Sequence, residues 1–321
     1  MKRNDYLMRM NKVIDYIQHH PDSDLSLQKL AQLASFSPFH FHRIFKAILN
    51  ENVNDYVKRS RLERAAKKLM MNQHLSVTEV ALDMGFSSSA VFSRAFKEFF
   101  GMSASEYKKV YNRKICKRES RNCKETPHDD RYDDISEAAA KLVNENKRRK
   151  IEMNIEVKIL PNYYIAYVRH LQGYEKGIYN HEISEAFNKA ASWVNAHQLF
   201  DQNTICMGVF YDFQDITPSE KRRYDAAFTI PEHVTTASTG IGIQDIKGGQ
   251  YACSRIEVKN TNEEAFERAI EEMDRAFDFI YGTWLPDSMY ELEDKPNLEF
   301  YLTPKDSEMI AIEAYVPVKP L

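Results

Sequence analysis

The chain has 321 residues, 43% hydrophobic and 28% charged, with a formal net charge of −3. That length points to two domains, and that composition is ordinary for a soluble globular protein. No apolar run approaches the ~20 residues needed to cross a bilayer, and Met1-Lys2-Arg3-Asn4-Asp5 leads into no apolar stretch, so neither a membrane span nor a secretory signal is expected and the protein is read as cytoplasmic.

Residues 1–112 carry 17 Lys+Arg against 11 Asp+Glu, a net of +6, which favours a polyanionic partner. Within them lies an internal repeat. Leu25-Ser26-Leu27 matches Leu75-Ser76-Val77, Ala31 matches Ala81, and Phe36-Ser37 matches Phe86-Ser87. After a shift of one residue, Phe41-His42-Arg43-Ile44-Phe45-Lys46 matches Phe92-Ser93-Arg94-Ala95-Phe96-Lys97, and Tyr56 matches Tyr107. One supersecondary unit is therefore used twice. Ser26 and Ser76 are N-cap candidates. Leu27, Leu30, Ala31 and Ala34, like Val77, Val80, Ala81 and Met84, have the spacing of one buried helical face. Short turns follow at Ser35-Phe36-Ser37 and Gly85-Phe86-Ser87, and then second helices at Pro38–Leu49 and Ser88–Phe100.

A helix, a tight turn and a second helix make a helix-turn-helix, whose second helix enters the DNA major groove. Ile44, Phe45, Phe92 and Phe96 are expected to face inward. His42, Arg43 and Lys46, with Ser93, Arg94 and Lys97, are left on exposed faces, where Arg can bond guanine through two donors. A single such hairpin could equally be an ordinary one with a solvated charged face; two with matched Arg and Lys make that reading weaker. Between the units, Asn54–Met71 keeps helical period through Val57, Leu62, Ala65, Ala66 and Leu69, and reads as one long helix bearing Lys58, Arg59, Arg61, Arg64, Lys67 and Lys68.

Ile44-Phe45-Lys46, the run from Val80 to Ser88 and the run from Phe92 to Ser103 resemble AraC/XylS-type regulators over residues 5–112. The resemblance implies base contacts from Phe39, His42 and Arg43 in the first unit. In the second it implies Ser89, Ala90, Ser93 and Arg94, with Ala90 limited to a thymine methyl. Ser35 stands where that family usually has Gly, so backbone strain is expected there. Ala104 stands where Pro is common.

Residues 113–150 carry a net of +4 and few apolar residues, and read as a charged linker with a short helix at Ile135–Val143. The cysteines are Cys116, Cys123, Cys206 and Cys253, with no CxxC and no zinc spacing, so free thiols are expected and no metal or cofactor is called for.

Residues 151–321 carry a net of −13 and a second, looser duplication. Ile165–Arg169 parallels Tyr251–Arg255, each after an earlier strand, Ile155–Leu160 or Ile241–Ile246. Pro161-Asn162 and Gly248-Gly249 lie between as hairpin turn signals. A helix follows in each copy, and strands return at Cys206–Phe213 and Leu298–Leu302. The predicted fold is therefore multidomain: an all-α double helix-turn-helix domain (1–112), the linker, and an α+β domain (151–321) of duplicated antiparallel sheet with helices on one face. A cleft between the copies suits a ligand.

That layout, with Asn297-Leu298-Glu299-Phe300-Tyr301-Leu302 and the ending Ala314-Tyr315-Val316-Pro317-Val318, resembles GyrI-like effector-binding domains over about 153–319. The resemblance implies an acidic residue and aromatics that hold a hydrophobic cation. Strand alternation puts Leu298, Phe300 and Leu302 on one face, expected to pack on the helices, and turns Glu299 and Tyr301 toward the cleft. Val209 and Tyr211 are read as their counterparts in the first copy. Trp193, Trp284 and Tyr167 are further lining candidates, though Trp193 reads more readily as core than as pocket. No nucleophile elbow, metal cluster or P-loop is present, and no catalytic residue is assigned. The expectation is a promoter-binding regulator, an activator working with RNA polymerase and controlled by a small effector. The alternatives left open are a hydrolase or a protein-interaction module in the C-terminal half.

Overall fold

The computed structural model describes residues 3–72, 74–110, 153–178, 180–214, 216–235, 240–260, 264–302 and 307–321. The expected linker, its short helix, Cys116 and Cys123 lie outside the described residues. Among those described, no helix is long and apolar enough to cross a membrane.

The N-terminal part is all helical: α1 (Arg3–His19), α2 (Leu27–Leu33), α3 (Pro38–Leu49), α4 (Val53–Met71), α5 (Val77–Asp83) and α6 (Ser89–Phe100), with residues 104–110 helical as well. The starts follow local chemistry. Ser26, Ser37 and Ser88 each accept a backbone N–H of the first turn, and Ser76 forms a reciprocal box with Glu79. Such caps stabilise by about 1 kcal/mol each. Each unit then closes around an aromatic ladder. Phe41 lies 5.5 Å from Phe45, which lies 5.4 Å from Tyr56. In the second unit, Phe92 lies 5.3 Å from Phe96, which lies 5.4 Å from Tyr107. Ile44 is only half-buried, because Phe41 and Phe45, one turn apart, take the inward positions of α3. The 19 residues of α4 form one rod of ~28 Å, its first half in one unit's core and its second half in the other's.

The C-terminal part is α+β. Its strands are β1 (Ile155–Leu160), β2 (Tyr163–His170), β3 (Cys206–Phe210), β4 (Tyr224–Thr229), β5 (Gly242–Ile246), β6 (Gly249–Lys259), β7 (Tyr290–Leu292), β8 (Asn297–Tyr301) and β9 (Met309–Pro320). They form an antiparallel sheet in the order β1-β6-β9-β8-β3-β4-β2-β5, with β7 added against β9. Helices α7 (His181–Ala196) and α8 (Ala265–Phe279) follow β2 and β6.

The expected hairpins do not form. β1 pairs with β6 of the other copy, and β5 pairs with β2. The two connectors instead meet each other, where the Gly248 N–H donates to Asn162 Oδ1 (2.9 Å). The two copies thus exchange their first strands.

Both helices pack on the sheet face that carries Ala226, Ala252, Ile312 and Ala314. The opposite face gathers Leu160 of β1, Ile165 of β2, Leu298, Phe300 and Tyr315 into a second core. Strands from both ends of the order meet there, so the sheet curls on itself. This corrects the expected packing: Leu298 and Phe300 lie in that inner core, and Glu299 and Tyr301 face the helices.

Candidate effector cavity and nucleic-acid interface

A cavity of about 290 Å³ opens between the sheet and the two helices. Its floor is Cys206, Tyr224, Glu299 and Tyr301 from the central strands; Phe187 of α7 and Phe266, Met273 and Asp274 of α8 wall it, with residues 174–178 at one side. Glu299 is 5% exposed. Tyr224 and Tyr301 both donate hydroxyls to its Oε2, at 2.6 and 2.8 Å, and their own oxygens lie 3.1 Å apart. Burial pushes the Glu299 carboxyl up to about 7 against the pull of those two hydroxyls, and Asp274 adds to the rise. Burial likewise lifts Asp274 to about 6, with Lys176 opposing. Lys176 is itself ion-paired to Asp278. Phe187 packs edge-on against Tyr301 (5.3 Å), and Phe266 stacks over it (6.2 Å). Once ionised, a buried carboxylate ringed by aromatic faces attracts an apolar cation.

Gly208 makes the carboxylate's place. The ladder sets Gly208 directly opposite Glu299, and Cys206 opposite Tyr301. A Cβ on Gly208 would lie 1.8 Å from the Tyr224 hydroxyl and 2.8 Å from Glu299 Oε2. When the ladders are followed outward from Ile165 and from Tyr251, Gly208 is also the first-copy counterpart of Glu299. The sequence pairing of Val209 with Glu299 is therefore one residue out of register, and in a strand one residue reverses the face.

That shift accounts for Tyr211. It follows β3 on the inner-core face, between Arg169 and Arg223, each 5.8 Å from its ring. Tyr167 is on the same face, 2% exposed, with its hydroxyl on Asp15 Oδ2 (2.9 Å). Trp193 sits in the core between α7 and the sheet, its ring tilted against His197. Trp284 lies at the edge of the main core, against Tyr290. Of the six residues expected at the ligand, the structure brings Glu299 and Tyr301 together at the cavity, and Tyr211, Trp193, Trp284 and Tyr167 do not line it. Sequence reasoning missed Tyr224, Phe187 and Asp274.

On the helical part, Phe39 stands 74% exposed at the start of α3, with the Arg43 guanidinium 5.7 Å from its ring. Lys46 is exposed and His42 half-buried. On α6, Ala90, Ser93, Arg94 and Lys97 are exposed and Ser89 half-buried. The nine positions thus fall on the outer faces of two equivalent helices, none of them buried. The cations of α4 mostly turn inward. Arg59 holds Glu51 and Glu63, Arg61 donates to the carbonyls of Pro21 and Ser23, and Arg64 reaches Asp294 (2.6 Å) in the C-terminal part.

A profile of the GyrI-like small molecule binding domain matches residues 153–319, and one of a helix-turn-helix domain matches residues 30–110. An uncharacterized HTH-type transcriptional regulator of Bacillus subtilis is 32% identical over 114 residues, 36% of this chain and 38% of that one. The Msm operon regulatory protein of Streptococcus mutans is 32% identical over 100 residues, 31% of this chain and 36% of that one. The chain therefore spans little more than a third of these relatives. Among solved structures, EcmrR in a DNA complex aligns over 92% of this chain and 99% of its own, at TM-score 0.43 and 11% identity. A transcriptional regulator from Chromobacterium violaceum, of the AraC-type DNA-binding domain-containing proteins, aligns over 32% of this chain and 91% of its own, at TM-score 0.31 and 23% identity. With more than half of its length matched by that one profile, the chain belongs to the GyrI-like small-molecule-binding family and carries an AraC-type helix-turn-helix domain ahead of it.

Proposed function

We propose that the protein is a transcription regulator whose two recognition helices, α3 and α6, read promoter DNA, and whose cavity binds a small hydrophobic cation that controls that reading. The observation that carries the effector class is Glu299: a carboxylate under two tyrosine hydroxyls, opposite a glycine, inside an aromatic cavity. Phe39, His42, Arg43 and Lys46, with Ser89, Ala90, Ser93, Arg94 and Lys97, form the DNA face in this reading, Arg43 and Arg94 as base readers and the lysines on phosphates. In our reading the response is activation through RNA polymerase. The test is binding of the full-length protein to the DNA upstream of its own gene, with quaternary ammonium compounds from tetramethylammonium to benzyltrimethylammonium. Affinity or transcription that changes with the more apolar cations supports the reading. Tight DNA binding indifferent to all of them removes the effector class.

A further inference from the structure

The C-terminal domain grips the DNA-binding domain through side chains of α1 and α4. The Arg169 side chain, 1% exposed, bridges Asp225 of β4 (2.6 Å) and Asp15 of α1 (2.7 Å). Arg223 holds Asp212 (Nε to Oδ2, 2.9 Å), and donates to the Tyr56 hydroxyl of α4 (3.1 Å) and to Gln18 Oε1 of α1 (2.8 Å). The Thr217 hydroxyl donates to Glu63 of α4 (3.1 Å). Two apolar contacts straddle the joint between the units: Leu171 packs on the core of the first, and Ile216 on the core of the second.

The same stretch of chain is a wall of the cavity. Arg222 donates to the carbonyls of Gln214 (2.7 Å), Thr217 (3.0 Å) and Tyr174 (3.2 Å), and so ties two cavity-lining residues to the one that reaches Glu63. Four consecutive residues thus alternate between sites. Arg222 binds the cavity wall, Arg223 grips α1 and α4, Tyr224 holds Glu299, and Asp225 holds α1 through Arg169.

We infer that residues 222–225 couple the two sites: engagement of Glu299 by a ligand shifts Tyr224, and with it Arg223 and Asp225, and so resets the pose of the two helix-turn-helix units on either half of α4. This rests on the effector reading of the cavity. Coupling is carried by an element that both sites bias, and this stretch touches the cavity on one side and α1 and α4, which carry the two units, on the other. Arg223 and Thr217 are positioning residues, since neither lines the cavity nor belongs to the proposed DNA face.

Hydrogen exchange on the full-length chain tests it without a ligand. At pH 8, above the range in which the Glu299 carboxyl titrates, Glu299→Gln removes the charge that a cation would neutralise. The expected result is a change of about five-fold or more in amide protection along α1 and α4. In the Tyr56→Phe/Thr217→Val background, two near-isosteric changes that leave the cavity untouched, that response should shrink by most of its size while the response at β8 persists. Should the double variant fold poorly, Arg223→Lys keeps the pairing with Asp212 and shortens the reach to Tyr56 and Gln18, with the same expectation. Glu299→Gln confined to the cavity strands, or an α1 and α4 response unchanged in these backgrounds, overturns the coupling. Calorimetry with benzyltrimethylammonium runs beside it. Failure of that cation to bind tells against the effector class alone, and the exchange result still decides the coupling.

Discussion

The chain contains two duplications, and they have diverged differently. The helix-turn-helix copies keep their chemistry in register: Phe41, Phe45 and Tyr56 repeat as Phe92, Phe96 and Tyr107, and Arg43 and Lys46 repeat as Arg94 and Lys97. The sheet copies differ at the point where they meet, Gly208 facing Glu299. Geometry explains the contrast. On the proposed function, two separate recognition helices each meet their own stretch of a repeating polymer, so like residues serve both. A cavity on the axis between two copies is single, and two carboxylates face to face there would repel in a low dielectric. One copy supplies the charge and the other the room.

The sharpest way to break that asymmetry is Gly208→Ala. The added carbon would overlap the Tyr224 hydroxyl, and the strand ladder on both sides leaves the backbone little freedom to yield. Overpacking of this kind costs about 3 kcal/mol. We expect a clear drop in the unfolding midpoint and loss of cation binding; a variant as stable as the parent would remove the steric account of Gly208.

Glu299→Gln comes next. Because burial holds its carboxyl up at about 7, the folded state favours the neutral form. The stability linked to Glu299 is therefore full below the ordinary carboxylate range and is lost as pH rises through about 7. Between pH 5 and 8 the parent should lose roughly 2–3 kcal/mol relative to Glu299→Gln. Glu63 is lifted in the same direction but remains in both proteins and cancels in the difference, whereas Asp274, whose charge raises Glu299, titrates with it as a pair, so the difference reports the two carboxyls together. A bound cation should flatten the parent's slope by favouring the ionised form. Parallel pH–stability curves for the two proteins would show that Glu299 does not titrate in this range.

The DNA-binding copies are compared by Arg43→Ala and Arg94→Ala. If both arginines read bases, each loses roughly 1–3 kcal/mol of specific affinity in a titration at fixed salt. Similar losses support two equivalent readers, and a loss in only one assigns sequence reading to one unit. Unchanged affinity in both would remove α3 and α6 as the reading helices.

How far the sequence could be read follows the same division. The helical half was legible because a buried stripe of period 3.6 tolerates small errors of alignment, and Ser26, Ser37, Ser76 and Ser88 mark their own helix starts. The sheet half was legible as duplicated α+β, but not in register. Strand period is two, so pairing Val209 with Glu299 moved Tyr211 to the wrong face. Strand exchange left no local trace, since Pro161-Asn162 and Gly248-Gly249 carry the same turn chemistry whichever strand is paired. Arg169 and Arg223 look like surface charges in a sequence. For Arg169 the available signal was its partner: Asp225 lies within the apolar run Tyr224–Thr229, and a carboxylate there needs a buried cation.

The smallest expected effect separates the two turns. Ser35 adopts φ 55° and Gly85 φ 72°, so both copies place this residue in the left-handed region, as the departure from glycine at Ser35 implied. Their surroundings differ. Ser35 is exposed, whereas a side chain at Gly85 would meet the Pro21 carbonyl at 2.6 Å and the Arg61 guanidinium at 2.8 Å. Left-handed backbone costs a residue with a Cβ about 1–2 kcal/mol, and the greater entropy that glycine loses on folding offsets part of that gain. Ser35→Gly should therefore stabilise by about 0.5–1 kcal/mol, read as a rise of roughly 1–3 °C in the unfolding midpoint. Gly85→Ser should destabilise, adding a packing clash to the backbone cost. If Ser35→Gly instead lowers the midpoint, the serine side chain contributes a contact that outweighs its strained backbone, and the two turns are less alike than their dihedral angles.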